Sequence, residues 1–286
     1  METFLIQEVA RRALAEDLLY GDRTSEALLP TPMRAVGCLI AKEELVVAGM
    51  PLVAAVFRSL DPTAKLDVHI PTGKSAKWGD IIVSVEADAR ALLGGERTAL
   101  NFIQRLSGIA TQTRRFVGAV SKTGVKIADT RKTTPGLRMV EKEAVRAGGG
   151  WNHRFHLGDM VLIKDNHITI AGGLLNAIRR VRATLSHPYK VEVEATDEQQ
   201  VHEALEGGCD LILLDNMTIA QIKSAVALIR KSAPATLIEV SGGVTLENVA
   251  AIAHCGIDLI SVGALTHSAP AVDISMDVET EETVSG

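Results

Sequence analysis

Aromatic residues are scarce in this chain, at 3% of 286 positions. A large core must therefore be aliphatic, built from Val, Ile, Leu and Ala, which suits buried parallel strands. Cysteine is scarcer still. Cys38, Cys209 and Cys255 are the whole complement, odd in number and without a CxxC pair. That pattern excludes a disulfide framework and a zinc site, and it fits reduced thiols in a cytoplasmic protein. No apolar run reaches the roughly 20 residues that a membrane span requires. Met1–Gln7 has neither a basic start nor a long apolar stretch, so no signal peptide is expected. Positive charge is not in excess either. The net charge is -5, which argues against a general nucleic-acid or membrane-surface binder, and any anion site must come from a local cluster.

What is present is an apolar content of 47%, which excludes general disorder. Leu5, Ile6, Val9, Ala13 and Leu14 recur at helical spacing, until Gly21 and Asp22 break the pattern. Short β-like runs follow at Val36–Ala41, Lys65–Ile70 and Ile81–Val85, with a helix at Leu52–Leu60 among them. Pro62, Pro71 to Gly73 and Gly79 mark the turns. From Ala91 to Val120 the pattern is helical, with Gly108 as an interruption, and it reads as a connection between domains.

Thereafter short apolar runs appear at Val125–Ala128, Met160–Ile163, Lys190–Val193, Leu211–Leu214, Thr236–Val240 and Leu259–Val262. Helix-like stretches separate most of them: Val140–Ala147, Leu174–Ala183, Glu198–Glu206, Ile219–Arg230 and Leu246–His254. That is the rhythm of βα repeats with a parallel sheet. Each run ends in small polar or charged residues, as expected where a barrel builds its site at the C-terminal ends of several strands. No GxGxxG follows the first run and no P-loop motif occurs, so dinucleotide and P-loop readings are weak. The expected division is 1–109, 110–275 and a tail at 276–286, acidic and polar from Asp277 onward and expected to fray or pack loosely.

The strand-end residues carry the chemistry. Thr130, Arg131 and Lys132, before a Pro135-Gly136 turn, offer cations and hydroxyls suited to carboxylate or phosphate; a solvated basic turn would look the same. His153 and Arg154 follow three glycines, which either admit a ligand to the backbone or form a flexible loop. Lys164 ends a strongly apolar run, where a buried lysine needs a carboxylate or a ligand anion; otherwise it reaches solvent. Glu192 and Glu194 alternate with Val191 and Val193, so both glutamates share one face. Asp215 ends the next run. These carboxylates can balance charge, hold a divalent cation or stabilise a developing positive charge, or else form structural ion pairs. Ser241, Gly242, Gly243 and, later, Val262, Gly263 and Ala264 resemble barrel phosphate loops, or are simply tight turns.

In order along the chain, Ala13–Thr24, Glu96–Thr111, Asp129–Gly136, His153-Arg154, Leu162–His167, Val191–Glu194, Leu213–Asn216, Glu239–Gly243 and Ser261–Pro270 resemble the quinolinate phosphoribosyltransferase family. The resemblance covers nearly the whole chain. It implies an α/β fold with an N-terminal α/β sandwich domain followed by an open α/β barrel. It implies phosphoribosyl transfer from 5-phosphoribosyl 1-diphosphate to quinolinate with release of CO2 and diphosphate, a need for Mg²⁺, and a homodimer or a hexamer of dimers. By matching motifs, Arg131, Arg154, His153 and Lys132 would hold the quinolinate carboxylates. Arg97 would reach the neighbouring subunit's site, and Lys164 would face the phosphoribosyl diphosphate. Glu194 and Asp215 would lie near ribose and metal, and Ser241, Gly242, Gly243 and Gly263 would form the 5-phosphate cup. Trp151, Phe155 and His156 depart from the family's glycine-rich loop and small residues. The rivals are a paralogous branch associated with molybdenum transport and a non-catalytic anion-binding barrel. Having both Glu194 and Asp215 speaks against the second, because anion capture gains nothing from added negative charge.

Overall fold

The computed structural model describes residues 3–279. In chain order the elements are α1 (Thr3–Asp17), α2 (Arg23–Leu28), β1 (Arg34–Ala41), β2 (Leu45–Val46), α3 (Met50–Leu60), β3 (Lys65–Val68), β4 (Ser75–Ala76), β5 (Ile81–Asp88) and α4 (Ala89–Val120). They continue as β6 (Lys126–Ala128), α5 (Arg138–Ala147), β7 (Val161–Ile163), α6 (Asp165–Ala171), α7 (Leu174–Thr184), β8 (Val191–Ala195) and α8 (Glu198–Glu206). Last come β9 (Leu211–Asp215), α9 (Ile219–Ser232), β10 (Leu237–Ser241), α10 (Val249–Ala253), β11 (Leu259–Ser261), α11 (Ala264–His267) and β12 (Ile274–Glu279).

The chain divides into two compact units. One comprises the residues up to Arg114, Thr133–Gly149 and the residues from Leu265 onward; the other comprises Arg115–Lys132 and Gly150–Ala264. Segments 133–149 and 265 onward thus belong to the first unit, so neither unit is one continuous stretch of chain.

The first unit is built on an antiparallel sheet in the order β12-β1-β5-β3. In β1 every second residue is buried, from Ala35 to Ala41, as the two-residue period requires. Helix α3 is amphipathic. It buries Leu52, Val53, Val56 and Phe57 almost completely, at about 1.5–3 kcal/mol of favourable transfer for each large side chain. Two expectations are corrected in this unit. Strand β12 runs antiparallel to β1, with Met276 opposite Leu39 and Asp277 opposite Cys38, so residues up to Glu279 form part of a sheet and not a loose tail; the remainder of the expected tail, 280–286, lies outside the described residues. Helix α4 is unbroken through Gly108. A Cβ at Gly108 would collide with the carbonyl oxygen of Pro270, so this glycine permits a close backbone approach and is not a break.

The second unit contains a six-stranded parallel sheet in the order β6-β11-β10-β9-β8-β7. Consecutive strands are neighbours from β7 through β11, and β6 pairs with β11. No ladder joins β6 to β7 among the described residues, so the barrel is open. On its free side β6 receives a parallel bridge from Trp151 to Ala128. Helices α7, α8, α9 and α10 pack successively against one another. Among the described residues no helix is long and apolar enough to cross a membrane.

Candidate active site

The ends of the barrel strands position most of the expected residues. Asp129, directly after β6, is fully buried. Its carboxylate accepts the His153 backbone N–H at 2.9 Å and the Asn152 side-chain amide at 2.6 Å, which fixes the loop that carries His153 and Arg154. Thr130 and Arg131 are partly buried and Lys132 is exposed; the Lys132 N–H donates to the Thr130 hydroxyl at 3.0 Å.

Arg154 is 9% exposed and donates to the Met160 carbonyl at 3.0 Å. Its pKa is lowered, first by burial and then by the nearby charge of Arg131. Two guanidiniums in repulsive proximity, one of them buried, form a receptor for an anion with more than one negative oxygen.

On β8 all five residues are buried, with Glu192 at 0% and Glu194 at 9% exposure. Glu194 accepts from Lys164 Nζ at 2.9 Å. The lysine side chain is 47% exposed, so of the two readings it takes a part of each: it reaches solvent and is paired with a carboxylate. It also precedes α6, a short helix with no buried residues. Asp215 ends β9, pairs in register with Ser241 of β10, and accepts from the Asn216 amide at 2.6 Å. Asn216 is the one non-glycine among the described residues with positive φ, at 54°. Gly242 and Gly243 also have positive φ, at 89° and 59°. Beyond β11, Val262 is buried and donates its N–H to the Ala128 carbonyl, while Gly263 and Ala264 are partly exposed.

Arg97 is not among these residues. It is exposed on α4 of the first unit and lines a cleft of about 250 Å³ with Glu16, Asp17 and Asn101.

Two residues stand out beyond those expected as contacts. Glu192 and Glu239 are buried carboxylates at 0% and 1% exposure, and both face the His153 ring. Nε2 of His153 lies 3.1 Å from Glu192 Oε2 and 3.7 Å from Glu239 Oε2. Burial, reinforced by the Glu192 charge, pushes Glu239 up to about 7. Among the described residues these three side chains form the one cluster with potential metal-ligand atoms all within 4.8 Å of one another. The expected pair, Glu194 and Asp215, is not part of it.

The unusual loop residues are accounted for locally. Trp151 is half exposed beneath Lys126, whose Nζ lies 5.6 Å from the ring centre. The backbone N–H groups of Phe155 and His156 donate to Asp159 at 2.7 and 3.0 Å.

An open parallel barrel with cations, carboxylates and glycine-rich turns at its strand ends has the layout of an enzyme site for small anionic substrates. Residues 22–107 match the N-terminal domain model of quinolinate phosphoribosyl transferase, and residues 109–277 match its C-terminal domain model. The chain belongs to that family. It is 43% identical to the nicotinate-nucleotide pyrophosphorylase (carboxylating) of Mycobacterium leprae, covering 95% of this chain and 96% of that one. It is 42% identical to the probable enzyme of the same name from Bacillus subtilis, covering 96% and 91%. A solved nicotinate-nucleotide pyrophosphorylase from Ehrlichia chaffeensis superposes with a TM-score of 0.90 at 43% identity, covering 95% and 98%.

Proposed function

We infer that the protein transfers the phosphoribosyl group of 5-phosphoribosyl 1-diphosphate to the ring nitrogen of quinolinate. Diphosphate and CO2 leave, and nicotinate mononucleotide is the product. The observation that carries this reading is the Arg131–Arg154 pair: two like charges brought together, one of them buried, suit a dicarboxylate. Lys132, on the same loop, adds a third cation.

The ring nitrogen forms its bond to C1 of the ribose as the bond to diphosphate breaks. Positive charge develops at C1, and a carboxylate there stabilises the transition state more than the ground state. Glu194 and Asp215, at the ends of β8 and β9, supply that charge. Lys164, already paired with Glu194, meets the diphosphate side. Alkylation makes the ring nitrogen positive, so the ring accepts the electron pair left at C2 when CO2 departs, and C2 then takes a proton. The chain holds the geometry and excludes water. Mg²⁺ would be held by Glu194 and Asp215 together with substrate phosphates. When bound, Mg²⁺ would neutralise charge on the departing diphosphate. Gly242, Gly243 and the Val262–Ala264 turn would seat the 5-phosphate.

The test is CO2 release from carboxyl-labelled quinolinate by the purified protein. Release that depends on both phosphoribosyl diphosphate and Mg²⁺ is expected, and none at any substrate concentration would sink the reading. Turnover of nicotinate in place of quinolinate would make the protein a non-decarboxylating transferase. We place exposed Arg97 at the site of a second copy in a homodimer. Mixed Arg97→Ala and Glu194→Ala chains should regain activity through hybrid dimers, and exchanged mixtures that stay inactive would remove this role.

A further inference from the structure

The alternation in β8 sends Glu192 to the same side as Glu194, and β10 contributes Glu239. Both meet the Nε2 edge of the His153 ring, at 3.1 and 3.7 Å. The opposite edge is also occupied. The backbone N–H of Arg154 donates to His153 Nδ1 at 2.8 Å. A backbone N–H can only donate, so Nδ1 must present a bare lone pair. A neutral imidazole then carries its hydrogen on Nε2, aimed at the two carboxylates. Each ring nitrogen is thus engaged by a protein group, and neither is left for a substrate carboxylate.

We propose that Glu192 and Glu239 are positioning residues that pin His153 with its hydrogen on Nε2, and that the pinned ring sets the Arg154 backbone, so the guanidiniums and not His153 receive the quinolinate carboxylates. The proposal rests on the reaction inferred above. It departs from the role that the family resemblance gives to His153. Three further facts support it. Glu192 Oε1 is buried without a hydrogen-bond partner, an arrangement that costs stability and is retained where it serves a site. Asp129 anchors the same loop independently, through the backbone N–H of His153. Finally, Arg154 uses a donor on Met160 O, so its guanidinium is held from one side and its main chain from the other.

The same three side chains have the spacing of ligands to a divalent cation. A cation on Nε2 would force the ring hydrogen to Nδ1, directly against the Arg154 N–H. The local backbone opposes that state, and so favours the hydrogen-bonded pin over a metal site.

The test combines a spectroscopic and a kinetic measurement on the full chain. With ¹⁵N-labelled histidine, the His153 ring is expected to hold its hydrogen on Nε2, with or without saturating quinolinate. Glu192→Ala is expected to lose this single tautomer. It should also raise KM for quinolinate roughly tenfold while changing KM for phosphoribosyl diphosphate by no more than about twofold. Glu192→Gln keeps an acceptor for the Nε2 hydrogen and should restore both readouts. Glu239→Ala should follow Glu192→Ala more weakly, at its longer distance. A hydrogen on Nδ1, protonation of the ring by added quinolinate, or Glu192→Gln as impaired as Glu192→Ala would overturn the proposal. So would one tightly held divalent metal per chain that Glu192→Ala loses. If the wild-type chain released no CO2, the reaction would fail, while the tautomer measurement would still decide the pin.

Discussion

Asp61 and Glu239 are both buried carboxylates, one in each unit, and their surroundings treat them oppositely. Asp61, at the end of α3, accepts from the Thr63 hydroxyl at 2.6 Å, the Thr63 N–H at 2.8 Å, the Asp88 N–H at 2.9 Å and Arg34 at 2.7 Å. These bonds, the Thr63 hydroxyl foremost, draw its pKa down to about 2. Glu239 has the Glu192 carboxylate nearby and no comparable set of donors, and burial, reinforced by that charge, drives it up to about 7. A saturated carboxylate ties strands and turns together. A starved one costs stability, which marks a position shaped for function.

The sharpest way to break that contrast is at Arg154, in the starved region. Arg154→Ala should lower kcat/KM for quinolinate by roughly 10²–10³. Thermal stability should change little, because the variant removes a buried cation that Arg131 repels. Full activity together with a large fall in Tm would reverse the assignment and make the cluster structural.

Asp61→Ala should show the converse pattern. It strands the donors of Arg34, Thr63 and Asp88, at a cost of about 2–3 kcal/mol, while kcat/KM of the folded protein stays close to wild type. An activity loss without a stability loss would contradict this.

The pH dependences also run in opposite directions. The Asp61 value is depressed, so its contribution is present above the unfolded value of 3.8 and fades as pH falls toward about 2. The Glu239 value is raised, so the folded chain holds a proton that the unfolded chain releases. Its contribution is full below 4.5 and is lost as pH rises through about 7. Denaturant titrations from pH 4.5 to 8 should show stability declining in the wild type and a flatter profile in Glu239→Gln. Equal slopes would mean that Glu239 is not the group responsible.

The sequence makes the two regions unequally legible. The βα rhythm is visible because each barrel strand is a local apolar run ending in polar residues, as in Leu211–Asp215. The Glu192/Glu194 face follows from a two-residue period. The Glu239 cluster was hidden because its partners are His153 and Glu192, far away along the chain, and because one glutamate inside an apolar run carries no local sign of what it meets. Helix α6 is illegible for a related reason: with no buried residue it has no apolar stripe. Its start is held instead by the His167 ring, which accepts the Lys164 N–H at 3.0 Å. Strand β12 alternates Ile274 and Met276 inward, but the acidic residues around it read as solvent, and only the pairing with β1 explains the order. Gly108 read as an interruption because a glycine required by a distant carbonyl looks, locally, like one required by a turn.

The smallest expected effect separates two adjacent glycines. Both Gly242 and Gly243 have positive φ, so alanine at either costs about 1 kcal/mol in backbone strain. Their surroundings differ. A Cβ on Gly242 would collide with Asn216 Oδ1 and lie 2.8 Å from the Asn216 backbone nitrogen, whereas a Cβ on Gly243 would meet nothing within 4 Å. Asn216 in turn holds Asp215. Gly242→Ala should therefore displace Asp215 and lower kcat by roughly tenfold. Gly243→Ala should leave kcat near wild type and act on KM for phosphoribosyl diphosphate, because the open space beside it is where the 5-phosphate would sit. Matched kcat losses in the two variants would show that strain in the loop, and not the Asn216–Asp215 contact, is what this turn controls.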